Sequence, residues 1–267
     1  MKLFQVDAFT SELFAGNPAA VCFMDTARDD VWMQSVAREM NLSETAFVVR
    51  RPNASGGHDG FDLRWFTPTI EVSLCGHATL ATAHVLWESG ELDPSTTARF
   101  HTRSGWLTAE RQADWIELDF PATPDAPADP PAGLADAIGA EPLYVGKSRF
   151  DYLIEVEGEN TVRRLVPDHA RLRTLPVRGV MVTSRATTPG LDFVSRFFAP
   201  GSGVDEDPVT GSAHCCLTPF WSARLGKTDL IARQLSIRGG VLRLRLDGDR
   251  VKLGGQAVTV MRGELLA

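Results

Sequence analysis

Two short stretches hold the residues best suited to chemistry: Cys75-Gly76-His77-Ala78 and Asp207-Pro208-Val209-Thr210-Gly211-Ser212-Ala213. In each, a Gly stands directly before an apolar run, so each reads as a loop entering a helix. The first turn of a helix leaves N–H groups unpaired and carries partial positive charge, which suits a small carboxylate. Glycine there lets the backbone approach a ligand closely. His77 offers three roles: general acid, hydrogen-bond donor to a substrate, or a group that steadies its loop. Asp207 precedes Pro208, which favours a first helical turn, so capping is its simplest role. Crowding by Asp205 and Glu206 favours one protonated acid among the three. Cys75 is by default a small buried residue, yet a thiolate at a helix N-terminus is favoured and could move a proton. Thr210 holds the matching place in the second stretch, and a hydroxyl is a far poorer base. Glu44, between Ser43 and Thr45, reads from composition as an exposed loop carboxylate; in a partly desolvated cleft it would shuttle protons.

Other chemistries lack their residues. His214-Cys215-Cys216 has no spaced ligand pairs around it, so it reads as helix packing and no metal is expected. His84, on an apolar helix face, reads as a satisfied core histidine. No P-loop, dinucleotide-binding glycine signature or nucleophile elbow occurs in its proper context. Proton transfer on a small acid, without a cofactor, fits what remains.

The elements that position these residues form a repeat. Arg64-Trp65-Phe66-Thr67-Pro68 and Glu71 lead into the first stretch; Arg196-Phe197-Phe198-Ala199-Pro200 and Glu206 lead into the second. In both copies Glu stands five residues before the Gly, and the apolar run ends at a Trp and a Gly: Trp87 and Gly90, then Trp221 and Gly226. Self-similarity at half-chain distance points to a duplicated domain.

The two runs, 74–87 and 212–225, predict helices apolar all round, which lie inside a fold; Pro219 should kink the second. An amphipathic helix is expected at 28–40, with Asp29 and Asp30 at its positive end, and a short one at 134–138. Strands are expected at 3–9, 19–23, 46–49, 62–66, 98–102, 105–111 and 115–120. The second half adds 142–145, 152–156, 179–183, 192–198, 234–238, 241–246, 250–253 and 257–261. Turns are expected at 56–60 and, as hairpins, at Gly239-Gly240 and Asp247-Gly248. Many short strands and few helices predict a sheet curled around a central helix in each half. The Pro-rich stretch 121–133 marks a linker, giving halves 1–118 and 119–256, with a last strand within 257–267 able to complete the first.

Composition sets outer bounds. The 267 residues have 43% hydrophobic and 23% charged content and a net charge of −7, ordinary for a soluble globular chain. With no Lys/Arg-rich run, nucleic acid is not an expected partner. Four cysteines without a CxxC pair suit a reducing compartment. With no apolar signal core or membrane-span-length run, the expectation is a cytoplasmic protein with no membrane contact.

The motifs Val6-Asp7-Ala8-Phe9, Phe14-Ala15-Gly16-Asn17-Pro18-Ala19-Ala20-Val21, Asn41-Leu42-Ser43-Glu44-Thr45, Cys75-Gly76-His77-Ala78-Thr79 and Glu206 to Ala213 occur in the order of a known family. The chain resembles the PhzF-like phenazine-biosynthesis proteins over nearly its whole length. The resemblance implies a diaminopimelate epimerase-like α+β fold: two pseudo-symmetric domains, each a curled, mostly antiparallel sheet or barrel around a central helix, with the active site between them. It implies a homodimer acting without cofactor on a small carboxylic acid, cyclic in the family's phenazine enzyme, by moving a proton between carbons. Glu44 matches the catalytic base, His77 and Asp207 the further catalytic residues that contact the substrate, and Ser43, Gly76, Gly211 and Ser212 the substrate-binding positions. Cys75 matches a catalytic thiol of diaminopimelate epimerase, but Thr210 replaces the second thiol, which weakens two-base racemisation. The alternatives are a Cys75-dependent racemase, epimerase or dehydratase, and a non-catalytic small-acid binding protein.

Overall fold

The computed structural model describes residues 1–52 and 57–266. Gly56 of the expected 56–60 turn, and Ala267 at the chain's end, lie outside the described residues. The chain divides into two compact units, Met1–Asp119 with Gly254–Ala267, and Phe120–Leu253.

In the first unit, β1 (Lys2–Ala8) and β2 (Asn17–Met24) are antiparallel, and α1 (Asp30–Met40) carries the chain to β3 (Glu44–Pro52), parallel to β2. Asp29 caps α1 by accepting from the Trp32 N–H at 2.8 Å, and Asn41 ends it in the left-handed region. Antiparallel β4 (His58–Phe66) follows, then the short β5 (Glu71–Val72), α2 (Gly76–Glu88), and β6 (Ala98–Thr102) parallel to β4. β7 (Gly105–Gln112) and β8 (Trp115–Pro121) extend the meander. The C-terminal strand, Ala257–Glu264, pairs antiparallel with β1 along its length. Gly16 permits the β1–β2 connection: its φ is +64°, and a Cβ would lie 2.2 Å from the Ala8 carbonyl oxygen.

The second unit repeats this order. β9 (Ala126–Pro127) pairs with β10 (Pro142–Lys147) after α3 (Leu134–Ile138). β10 is antiparallel to β11 (Asp151–Val156), and α4 (Gly158–Arg164) and α5 (His169–Leu172) lead to β12 (Gly179–Arg185), parallel to β11. β13 (Phe193–Ala199) is antiparallel to β12; the short β14 (Val204–Asp207) follows, then α6 (Gly211–Leu225) and β15 (Asp229–Gln234), parallel to β13. β16 (Gly240–Asp247) pairs antiparallel with β15; β17 (Arg250–Gly255) and β18, the C-terminal strand already described, close the chain. The sequence of antiparallel and parallel pairings from β1 to β7 recurs from β10 to β16, as a duplication requires.

The central helices are buried for physical reasons visible in their residues. Ten residues of α2 are buried, among them Thr79 and Thr82. Their hydroxyls donate to the Cys75 and Ala78 carbonyls at 2.5 and 2.7 Å, which removes the cost of burying them. In α6, Pro219 cannot donate to the Cys215 carbonyl. That carbonyl instead accepts from the Thr123 N–H at 3.0 Å. The helix runs unbroken past Pro219, and the freed acceptor ties down the Pro-rich stretch, which also contributes β9.

Several boundaries differ from expectation. β4 starts at His58, inside the expected turn. The expected 234–238 strand is instead β15 at 229–234, with residues 235–239 as the connection to β16. Glu44 lies in no loop: it opens β3. Among the described residues, no helix is long and apolar enough to cross a membrane.

Candidate functional site

Glu44 owes its place to the sheet. As the first residue of β3 it stands level with Ala19 on β2, at the start of a strand paired on both sides. The α2 entry is held from behind. Arg64 on β4 grips Glu71 on β5 through Nε to Oε1 at 2.8 Å and Nη2 to Oε2 at 2.6 Å. Arg103 joins the same carboxylate at 2.6 Å. A two-point arginine–carboxylate fork fixes direction as well as distance. From β5 the chain reaches Cys75, which is extended (φ −146°, ψ 112°) and starts the helix.

These elements bring Glu44, Cys75 and His77 together. Cys75 Sγ is 3.5 Å from His77 Nδ1, and His77 Nε2 is 3.1 Å from Glu44 Oε2. The imidazole therefore lies between the thiol and the carboxylate, one nitrogen toward each. His77 and Cys75 are buried, and the Glu44 side chain is 18% exposed. Nε2 is within ion-pair distance of Glu44 and, among the described residues, has no other partner.

Burial alone would lower the His77 pKa, but the Cys75 sulfur and the Glu44 carboxylate outweigh it and raise it well above 6.5. Burial, reinforced by the Glu44 charge, pushes Cys75 up to about 11. At neutral pH Cys75 is thus a thiol. The cluster comprises a thiol, an imidazole with a raised pKa and a carboxylate that water still reaches. Ser43 and Gly76, both half-buried, flank Glu44 and His77 in the chain.

The same three residues offer O, S and N donors within 4.8 Å of one another. Each imidazole nitrogen faces a different partner. To hold an ion, Cys75 and His77 would each first have to lose a proton. The arrangement fits proton traffic better than chelation.

In the second unit the fork recurs: Arg196 Nε reaches Glu206 Oε1 at 2.6 Å and Nη2 reaches Oε2 at 2.8 Å. It holds β14 against β13, as Arg64–Glu71 holds β5 against β4. Asp207 ends β14, Gly211 and Ser212 open α6, and Thr210 is the residue before it. The Thr210 hydroxyl donates to Asp207 Oδ2 at 2.5 Å. His214 is fully buried and its pKa falls to about 4 through burial, leaving it neutral. Its Nδ1–H donates to the Thr210 carbonyl at 2.8 Å, and its ring stacks on Phe193 at 5.9 Å. Cys215 and Cys216 are buried free thiols. His84 bonds Thr259 at 3.1 Å.

Sequence reasoning missed Gln234. Its amide Oε1 accepts from the Thr210 N–H at 2.9 Å, while Nε2 donates to the Asp207 carbonyl at 2.6 Å. The signal was present: Leu230, Ala232 and Gln234 alternate with Asp229, Ile231 and Arg233, so Gln234 falls on the buried face.

The profile of the phenazine biosynthesis-like protein family matches residues 6–263. A Halalkalibacterium halodurans protein, named only as an uncharacterised isomerase, is 54% identical over 265 residues, 99% of this chain and 98% of that one. A crystal structure of a phenazine biosynthesis protein of the PhzF family from Enterococcus faecalis superposes with a TM-score of 0.93 at 38% identity. It covers 100% of this chain and 99% of its own. A probable proline racemase from Agrobacterium radiobacter, 13% identical with a TM-score of 0.64 over 99% of this chain and 92% of its own, shares the fold.

Proposed function

The chain belongs to the phenazine biosynthesis-like protein family, and from that premise we propose that it is an isomerase that moves a proton between carbons of a small, cyclic hydroxy- or amino-acid, without a cofactor. The observation that carries this reading is the Glu44–His77 pair. A base that water still reaches stands 3.1 Å from a buried imidazole nitrogen.

The chemistry balances within that pair. Glu44 takes a proton from one carbon, and the electron pair of the broken C–H bond moves into the adjacent π system. His77, held protonated, donates Nε2–H to the oxygen or nitrogen on which negative charge grows. Glu44 then returns the proton to a second carbon, and no group is oxidised or reduced. The relatives' isomerase names support this class of reaction. The high pKa of Cys75 supports Glu44 over the thiol as base. For Asp207, Gly211 and Ser212 the proposed role is substrate orientation, supported by the motif Glu206 to Ala213.

The test is an NMR screen for solvent-deuterium incorporation across cyclic and acyclic hydroxy- and amino-acids. Exchange at two carbons of one acid, retained in Cys75→Ala, is expected. Exchange lost in Cys75→Ala would move the protein to the racemase or dehydratase class. Ligand-induced thermal stabilisation with no exchange at any carbon would make it a binding protein.

A further inference from the structure

The segment from Asp207 to Thr210 is fixed by side chains where the strand ladder gives out. Pairing of β14 with β13 ends at Asp207, and Pro208 has no N–H to offer. The residues beside the β15–β16 connection take over. Gln234 Nε2 donates to the Asp207 carbonyl at 2.6 Å, Ser236 Oγ donates to the Pro208 carbonyl at 2.7 Å, and Gln234 Oε1 accepts from the Thr210 N–H at 2.9 Å. Gln234 is fully buried. Only a carboxamide places a donor toward one of these backbone groups and an acceptor toward the other.

A second contact gives this clamp a chemical direction. Gln234 Nε2 also donates to Thr210 Oγ1 at 3.2 Å. Because a donor occupies that side of the hydroxyl, the Thr210 proton is committed to its other neighbour, Asp207 Oδ2, at 2.5 Å. The chain of donors runs one way, Gln234 to Thr210 to Asp207. A donor aimed at a carboxylate favours its charged form and fixes its rotation. We infer that Gln234, acting through the Thr210 hydroxyl, is a positioning residue for the Asp207 carboxylate. This deepens the function proposed above and rests on its assignment of Asp207 to substrate orientation. It also accounts for a Thr opposite Cys75 in the internal repeat: this place needs a hydroxyl that donates and accepts at once, which a thiol does weakly.

The experiment uses the full chain labelled with carboxyl-13C aspartate and no substrate. The Asp207 resonance is assigned by its loss in Asp207→Asn and followed against pH in wild type, Thr210→Val, Thr210→Ser and Gln234→Met. The expected result is an Asp207 titration moved to higher pH in Thr210→Val, restored in Thr210→Ser, and moved in the same direction in Gln234→Met. A wild-type titration in folded Thr210→Val, or in folded Gln234→Met, overturns the inference. Were Gln234→Met to unfold, the Gln234 side-chain amide resonances in Thr210→Val decide in its place: a shift supports the coupling and unchanged positions refute it. Because no substrate is present, this outcome is independent of whether proton exchange is found.

Discussion

Replacing Glu159 with Gln should weaken the second unit in a way that depends on pH. Glu159, near the start of α4, is 3% exposed. Its Oε2 accepts from the Thr187 N–H, the Thr187 hydroxyl and the Thr188 N–H at 2.8, 3.0 and 2.9 Å. Its Oε1 accepts from the Thr188 hydroxyl and from Arg163, both at 2.7 Å. Burial would raise its pKa, but these donors outweigh it and bring the carboxyl from 4.5 to about 2. Through linkage that fall corresponds to about 3 kcal/mol of stability at neutral pH. Water near the surface screens part of it, so about 2 kcal/mol is expected for Glu159→Gln, which keeps one acceptor oxygen and loses the charge. Because the folded pKa is depressed, the contribution is complete above about 4.5 and disappears as pH falls through about 2. Urea unfolding at pH 7 and pH 3 should therefore show a gap between wild type and variant that narrows in acid. Two compact units need not unfold together, so hydrogen exchange at the Thr187 and Thr188 amides supplies the local reading, with faster exchange expected in the variant. Equal midpoints at pH 7 and unchanged exchange at both amides would refute the reasoning.

Three other outcomes follow from the same geometry. Cys75, with its pKa near 11, should resist iodoacetamide at pH 7.5 and react faster as pH rises toward that value; mass spectrometry showing rapid labelling at pH 7.5 would contradict it. The His77 imidazole should remain protonated at pH 7 by NMR and titrate at lower pH in Glu44→Gln. Because its folded pKa is raised, the stability it contributes is fully present below about 6.5 and is lost as pH rises through the folded value. Glu71→Gln and Glu206→Gln should each cost about 1–3 kcal/mol in urea unfolding, since each removes the forked carboxylate, with the smaller loss at Glu71 because Arg64 keeps Asp30 at 2.8 Å; no loss in either would remove the fork as a structural device.

Much of this arrangement was legible in the residues, and the failures have physical reasons. The spacing Arg, aromatic, Phe, any residue, Pro and then Glu marked both helix entries, and each Arg and Glu prove to form the same fork. The all-apolar runs identified α2 and α6 because burial leaves no polar face to disguise. Glu44 was misread as a loop residue because the β2–β3 parallel pairing that captures it is not local. α4 was missed because Gly158-Glu159-Asn160-Thr161 has weak helix propensity; its stability comes from Glu159 reaching Thr187 and Thr188. The 234–238 strand was placed too late because Ile231 faces outward, which obscured the alternation that buries Gln234. Thr210 matched Cys75 by position alone; its two hydroxyl contacts, to Asp207 and Gln234, depend on a residue 24 positions away.

Solvent-deuterium exchange in Glu44→Gln tests the central claim most directly. With an acid that wild-type protein labels at carbon, the variant should fold, bind that acid, and incorporate no deuterium above the uncatalysed rate. Undiminished labelling by a folded Glu44→Gln protein would contradict the assignment of Glu44 as the base.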